Sequence, residues 1–354
     1  MKGLILSGGK GTRLRPLTHT RAKQLMPVAN KPILFYGIES LASAGIKQIG
    51  IIVGETKNEV MEAVGDGSRW NLKITYIDQP EPLGLAHAVF TAKNFLGKSP
   101  FVMYLGDNLL KNGITSLIDG FRKSKPTSQI LLASVPNPEQ FGVAELKNKR
   151  VIRLEEKPKK PRSNWALVGV YMFDSHIFEA EKVLKPSKRG ELEITDAIQF
   201  LIDKGYRVEA HTVDGWWKDT GKLEDMLEAN RLILETLQRK IEGEVDQDSR
   251  IDGRVGIGKG AKIINSVVRG PAIIGENTII DNAFVGPFTS IQENCEIRHS
   301  EIEHSIVLFG SQILNLRRRV EDSLIGTNVR IARTDLVPQA YRLLVGDNSK
   351  IDIY

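Results

Sequence analysis

Cysteine is almost missing from these 354 residues, with Cys295 the sole example. One thiol excludes an internal disulfide and cannot build a thiolate metal site. Aromatic residues make up only 6% of the chain and are not interleaved with the basic ones. That pattern excludes a nucleic-acid partner read by base stacking. No apolar run approaches the ~18 residues of a membrane helix, so no membrane partner is expected. The start, Met1-Lys2-Gly3-Leu4-Ile5-Leu6, meets glycines at once and offers no apolar core for a signal peptide. A cytoplasmic protein is the expectation.

Acid is also missing where base is plentiful. No Asp or Glu occurs before Glu39, whereas Lys2, Lys10, Arg13, Arg15, Arg21, Lys23 and Lys31 all do. The whole chain is nearly balanced, 49 Lys+Arg against 43 Asp+Glu for a net +6, so this clustering is local. Gathered like charges repel unless they are spread in solvent or face an anion.

What remains, 41% hydrophobic and 26% charged residues, describes a globular protein with ample core. Short apolar runs alternate with helical patterns through the first two thirds. Gly3–Leu6, Ile49–Val53, Ile74–Ile77, Phe101–Leu105 and Ile130–Val135 read as strands. Ile33–Ala44, Thr56–Val64 and Ala86–Phe95 read as helices. That rhythm predicts α/β architecture, a Rossmann-like, mostly parallel sheet with helices on both faces. Ligands of such sheets bind beyond the carboxyl ends of the strands. The longest helical pattern, Leu223–Lys240, is read as a bridge out of the first domain.

Beyond it the period changes to six. Ile251, Ile257 and Ile263 are evenly spaced, as are Val285, Ile291 and Ile297, with Gly or Asp following several aliphatics. A hexad repeat is the mark of a β-solenoid whose aliphatics point inward and whose small residues turn corners. The repeat slips near Arg269 and at Leu316–Val320. The expected domains are 1–242 and 243–354.

Directly after the first strand comes Leu6-Ser7-Gly8-Gly9-Lys10-Gly11-Thr12-Arg13-Leu14. Its glycines let backbone N–H groups converge on an anion, and Arg13 can grip phosphate oxygens in a fork. The order of residues is neither G-x-x-x-x-G-K-[ST] nor G-x-G-x-x-G. Lys23, then Gln24-Leu25-Met26-Pro27, adds a cation in the same acid-free stretch. Asp107 follows a strand, and Asp219 follows an aromatic pair. Two such carboxylates with substrate phosphates are a usual Mg²⁺ site, although each Asp is equally a good cap or turn residue. Glu156 and Lys157 precede Pro158 and are expected on an extended segment, pointing to opposite sides. Gln79 offers both the acceptor and the donor that a pyrimidine edge needs.

Gly8-Gly9-Lys10-Gly11-Thr12-Arg13-Leu14-x-Pro16-x-Thr18 with Lys23-x-x-x-Pro27 resembles the fingerprint of the sugar-1-phosphate nucleotidylyltransferases. Gln79-Pro80 with Gly84-Leu85-Ala86, Leu105-Gly106-Asp107-Asn108, Phe141-Gly142-Val143 and Glu155-Glu156-Lys157-Pro158 continue the likeness in order. Arg189 to Asp196 and Trp217-Lys218-Asp219-Thr220-Gly221 complete it. The combination is most similar to the thymidylyl-transferring branch that carries a carboxyl-terminal left-handed β-helix.

The resemblance implies transfer of a nucleotidyl group from dTTP to glucose 1-phosphate, giving dTDP-glucose and pyrophosphate. It implies that Leu6, Gly8, Gly9, Gly11, Thr12, Arg13, Lys23, Gln24, Gln79, Gly84 and Asp107 bind the nucleotide. Asn108, Gly142, Glu156, Lys157, Val168, Gly169 and Trp217 would bind the sugar phosphate. Arg13, Lys23 and Lys157 would be catalytic, and Asp107 and Asp219 would hold Mg²⁺. Phe141 stands where the family often has tyrosine, which leaves sugar choice open, as is dTTP against UTP. Two rival readings are a coenzyme A-dependent acyltransferase using His299 or His304, and a non-catalytic scaffold. Parallel coils pack side by side, so a homo-oligomer is expected.

Overall fold

The computed structural model describes residues 1–9, 11–19, 21–148, 150–334, 341, 343 and 345–353. Lys10, one of the clustered bases, lies outside the described residues. Packing separates two units: Met1–Lys10 with Arg21–Leu25 and Ile33–Asp219, and Gly11–Thr20 with Met26–Pro32 and Thr220–Tyr354.

The large sheet of the first unit has nine strands: β1 (Lys2–Leu6), β2 (Gln48–Val53), β3 (Lys73–Asp78), β4 (Phe101–Leu105), β5 (Ser128–Ser134), β6 (Gly142–Lys147), β7 (Arg150–Glu156), β8 (Trp165–Phe173) and β9 (Val208–Thr212). The unit's α-helices longer than one turn are α1 (Ile33–Ser43), α2 (Lys57–Val64), α3 (Leu85–Thr91), α4 (Thr115–Ser124) and α5 (Ile194–Asp203). The sheet runs β7-β6-β8-β4-β1-β2-β3, with β5 against β8 and β9 against β5. β4, β1, β2 and β3 are parallel, as the strand–helix rhythm predicts. β8 runs antiparallel to β4, β5 and β6.

Alternation sorts the side chains of each strand between two cores. Leu4, Leu6, Phe101 and Met103 join α3 and α5 on one face. Ile5, Val102 and Tyr104 join α1, α2 and α4 on the other. Central strands covered on both faces must be apolar throughout, which is why β1 reads as a run and not as an alternation. Each fully buried Leu or Ile contributes roughly 1.5–3 kcal/mol.

In the second unit α6 spans Leu223–Leu234 and not the expected Leu223–Lys240. Tight turns end it, with Thr236 N donating to Ile233 O and Leu237 N to Leu234 O, both at 3.0 Å. Lys240–Ile241 then departs as a strand paired with Gly256–Ile257. The last residues of the predicted helix are consumed by the first coil, whose strand edge they cover.

The coils form the expected left-handed parallel β-helix, with parallel sheets of six, six and four very short strands. Val255 pairs with Ala272 and Ala272 with Thr289, one turn of about three hexads apart. Ile257, Ile263, Val285, Ile291 and Ile297 are 0–2% exposed, as the spacing requires, and Ile251 is partly buried against them. Gly258 and Gly275 open corners as expected, where a Cβ would come 2.7 and 2.4 Å from the next coil's backbone, and asparagines share the turning. Asn265, Asn277, Asn282, Asn294, Asn315 and Asn328 occupy left-handed φ of 41–59°. Asn tolerates that region and bonds locally, and Asn265 Nδ2 reaches the next corner, Asn282 Oδ1, at 2.5 Å. At the predicted slip the third sheet ends with Glu301–Ile302, and an isolated bridge joins Ile302 to Val320. Arg319 there is tied to Glu301 and Glu303 at 3.0 and 2.6 Å.

Candidate active site

Parallel pairing of β1 with β4 delivers Ser7–Gly9 and Gly106–Asn108 to the same sheet edge. Leu6 O accepts from Gly106 N at 2.9 Å. A Cβ at Gly106 would lie 3.0 Å from Leu6 O and 3.4 Å from Gln24 Cγ, so glycine is what lets these segments close. A Cβ on Gly9 would sit 3.6 Å from Gln24 Nε2. Ser7 Oγ and Gln24 Oε1 are buried with no hydrogen-bond partner among the described residues. Unpaired buried polar atoms are uncommon in folded proteins.

Lys23 begins a short helical turn, Lys23–Leu25, and its ammonium is ion-paired with Asp107. Lys23 is 7% exposed, so a partner for its charge is obligatory. Burial works against ionisation of Asp107, yet the Lys23 ammonium, with the Asn108 amide, holds its carboxyl below the usual range. A two-stranded ribbon supplies the second carboxylate. Trp217–Asp219 pairs antiparallel with Asn108–Leu110, and Asp219 stands opposite Asn108. That register sets Asp219 against the residue that follows Asp107.

Asn108, itself 2% exposed, organises the next layer. Its Nδ2 donates to Asp107 Oδ1 at 3.0 Å, and its Oδ1 accepts from Trp217 Nε1 at 2.5 Å and Gly169 N at 3.2 Å. Gly169 lies just past the pairing of β8 with β4, which ends at Val170 opposite Tyr104. Val168 is fully buried in the core, so only its backbone can face a ligand. The Trp217 ring meets Phe141 edge-on at 5.4 Å.

Antiparallel pairing of β6 and β7 sets Gly142 opposite Glu156. A Cβ on Gly142 would come within 2.7 Å of Thr195 Cγ2 and 3.1 Å of Glu156 Oε2. Thr195 Oγ1 donates to Glu156 at 3.3 Å, and Arg189 Nη1 lies 3.4 Å from both Glu156 and Glu193. Burial, and then the Glu193 carboxylate, push Glu156 above the usual range against Lys157 and Arg189. Lys157 corrects an expectation: it is not on an extended segment. β7 ends at Glu156, Lys157 N closes onto Phe141 O at 3.0 Å, and Lys157 adopts φ 41°. A left-handed lysine before proline is strained, a condition that clusters at functional positions.

Gln79 is nearly buried and lies beside the glycine turn, 3.4 Å from where a Gly8 Cβ would be. Its Nε2 meets Gly84 O at 3.4 Å and His87 Nδ1 at 2.9 Å. His87 was invisible in the motif, yet it stands one helical turn after Gly84 and fixes the amide; that i, i+3 spacing was the available signal. Gly84 has φ 106°, and a Cβ there would strike Leu192 O at 2.5 Å.

Gly11, Thr12 and Arg13 belong to the second unit. Gly11 takes φ 63° and opens the turn Thr12–Leu14, and Thr18 Oγ1 donates to Gly11 O at 2.7 Å. Arg13 is exposed, and its guanidinium lies against Gly221, where a Cβ would come 2.8 Å from Nη2. His299 and His304 are corner residues of the solenoid, with φ 45° and 42°. His304 Nδ1 is paired with Asp322 and its ring meets Phe288 edge-on.

The family model for nucleotidyl transferases matches residues 2–236. The chain belongs to that family. It is 54% identical to a glucose-1-phosphate thymidylyltransferase of Streptomyces antibioticus over 100% of this chain and 99% of that one. A protein of the same name from Streptomyces griseus is 52% identical over 100% and 99%. Among solved structures, a Bacillus anthracis protein assigned provisionally to that activity, in complex with a sucrose, matches at TM-score 0.62 and 38% identity, covering 66% of this chain and 94% of its own. Nucleotidyl transferases join a nucleotide to an acceptor, which requires phosphate-facing cations near anions of the acceptor. No helix among the described residues is long and apolar enough to cross a membrane.

Proposed function

We propose that this chain is a glucose-1-phosphate thymidylyltransferase that makes dTDP-glucose and pyrophosphate from dTTP and glucose 1-phosphate. The observation that carries the reading is the buried Lys23–Asp107 ion pair at the end of β4, with Asp219 in register opposite Asn108. Thymidylyl specificity rests on the full-length likeness to the Streptomyces enzymes.

An oxygen of the sugar phosphate attacks the α-phosphorus in line. The new P–O bond forms as the bond to the bridging oxygen of the β-phosphate breaks, and pyrophosphate carries away the electron pair. The acceptor phosphate is already anionic, so no side chain need act as nucleophile. Repulsion between two phosphates is the obstacle, and positioned cations lower it. Arg13 takes the β- and γ-phosphates and the departing charge, Lys23 serves the α-phosphate, and Lys157 draws in the acceptor. Gly8, Gly9, Gly11 and Thr12 supply main-chain donors, while Gln79, held by His87, and the Gly84 backbone receive the base. Glu156 accepts sugar hydroxyls, and Asn108, Gly142, Val168, Gly169 and Trp217 line the sugar's place. Leu6 closes the floor beneath the nucleotide.

Two carboxylates are a usual protein share of a Mg²⁺ site, the rest being substrate oxygens and water. Asp107 and Asp219 would hold Mg²⁺, which when bound offsets charge on the α-phosphate. The division of labour is catalysis in 1–242 and a solenoid in 243–354, set in the cytoplasm, where the one buried thiol, Cys295, stays reduced. Homo-oligomers through the solenoid fit its exposed Ile264, Phe309 and Val329.

The test is pyrophosphate release for four nucleotides against several sugar 1-phosphates, with and without Mg²⁺. Release should be greatest for dTTP with glucose 1-phosphate and should need the metal. Absence of release with every pair would overturn the reading.

A further inference from the structure

The second unit contains more than coils and α6. Two short pieces of the amino-terminal region, Gly11–Thr20 and Met26–Pro32, pack with it. They flank Lys23 and Gln24 in sequence and include Arg13. We infer that the solenoid positions the Arg13 loop, through Leu17 on Gly326, and the hairpin Pro27–Pro32, through Asn230 and Asn30.

Asn230, on α6, is fully buried. Its Oδ1 accepts from Ala29 N at 2.8 Å and from Ser290 Oγ at 2.6 Å, and its Nδ2 donates to Phe288 O at 2.9 Å. One amide therefore joins the hairpin Pro27–Pro32, the helix and the solenoid strand Thr289–Ile291. Ala29 and Asn30 form the left-handed tip of that hairpin, at φ 47° and 61°. Asn30 Nδ2 adds a bond to Ile291 O at 2.6 Å. Both lone pairs of the Asn230 oxygen are in use, so no other side chain of that size satisfies all three partners.

The loop is held at a second point. Leu17 Cδ2 lies 3.3 Å from where a Cβ on Gly326 would stand, immediately after the solenoid strand Leu324–Ile325. Within the loop, Thr18 ties back to Gly11. A push on Leu17 is thereby passed to the turn that carries Thr12 and Arg13. The inference rests on the nucleotide roles proposed for Arg13 and Lys23, and it makes Leu17, Asn30, Asn230 and Gly326 positioning residues.

The test uses the full chain, with KM for dTTP and for glucose 1-phosphate measured separately by pyrophosphate release. Gly326→Leu should raise the dTTP KM about tenfold and leave the sugar phosphate KM within twofold, because misplacement by about 1 Å is costly. Leu17→Ala makes room, so the double variant Leu17→Ala/Gly326→Leu should recover most of the loss. Asn230→Leu should show the same split. If Gly326→Leu does not fold, Leu17→Ala alone decides: a rise of about threefold in dTTP KM is expected, and an unchanged value overturns the inference. Equal changes in both KM values, or no rescue by the double variant, would also overturn it. A wild-type chain that releases no pyrophosphate would instead defeat the proposed function.

Discussion

The two units solve the problem of buried polarity in opposite ways. In the coils, Ser266, Thr278, Ser300, Ser305 and Ser311 follow one pattern, each hydroxyl serving a backbone N–H one turn later. Ser266 Oγ accepts from Ala283 N and Ser311 Oγ from Val329 N, both at 3.0 Å, and Thr278 Oγ1 from Cys295 N at 3.1 Å. In the α/β unit the buried polar groups at the end of β4 are irregular, charged, and partly unsatisfied, as Ser7 Oγ and Gln24 Oε1 are. Regular satisfaction is what stability requires; the irregular set is what chemistry requires. Substitutions should therefore separate cleanly into those that alter rate and those that alter melting.

The largest effect should fall on the charged set. Arg13→Ala should lower kcat by roughly a hundredfold with every nucleotide, the cost of one lost transition-state contact. Lys157→Ala should instead act chiefly on glucose 1-phosphate, and initial-rate kinetics in both substrates distinguish the two. Equal losses in both substrates for both variants would erase the assigned roles. Next comes the solenoid core. Ile297→Ala should cost about 2–5 kcal/mol in thermal or urea unfolding while leaving both KM values unchanged below the transition. A KM shift there would blur the contrast. Ser266→Ala, which leaves Ala283 N unpaired, should cost about 1 kcal/mol by the same unfolding measurement, with no kinetic change.

The smallest effect is a pH dependence. Because burial and Glu193 raise Glu156, it binds a proton more readily folded than unfolded, so its charge costs stability once pH rises through its raised folded value. As pH falls through the window from that value toward the ordinary glutamate range, Glu156 becomes neutral and accepts sugar hydroxyls less well. The KM for glucose 1-phosphate should rise there by a few-fold, and Glu156→Gln should have a flat profile. A Glu156→Gln profile identical to wild type would remove Glu156 from the sugar site. Asp107 has the opposite sign, since Lys23 lowers it, and its contribution to stability is lost only as pH falls through that lowered value.

Legibility in the sequence followed the same division. Hexad spacing located Ile257, Ile291 and Ile297 in the solenoid core because one coil repeats a local rule. The small residues at the corners were legible too, but not the asparagines that share them, since left-handed φ can be met by Asn as well as by Gly. In the α/β unit, the glycine turn and the strand before Asp107 were legible, being contiguous. The pairing of Asp219 with Asn108 was not, because a two-stranded ribbon between distant segments leaves no periodic trace. His87 and the left-handed Lys157 escaped for a related reason: both depend on which backbone segment closes over them.

A double-mutant cycle on pyrophosphate release from dTTP and glucose 1-phosphate tests the central claim most directly, with Asp107→Asn, Asp219→Asn and both together. If the two carboxylates act as one unit, the double variant will be no more than a few-fold slower than the slower single variant. Losses that multiply would show two independent residues and contradict the account.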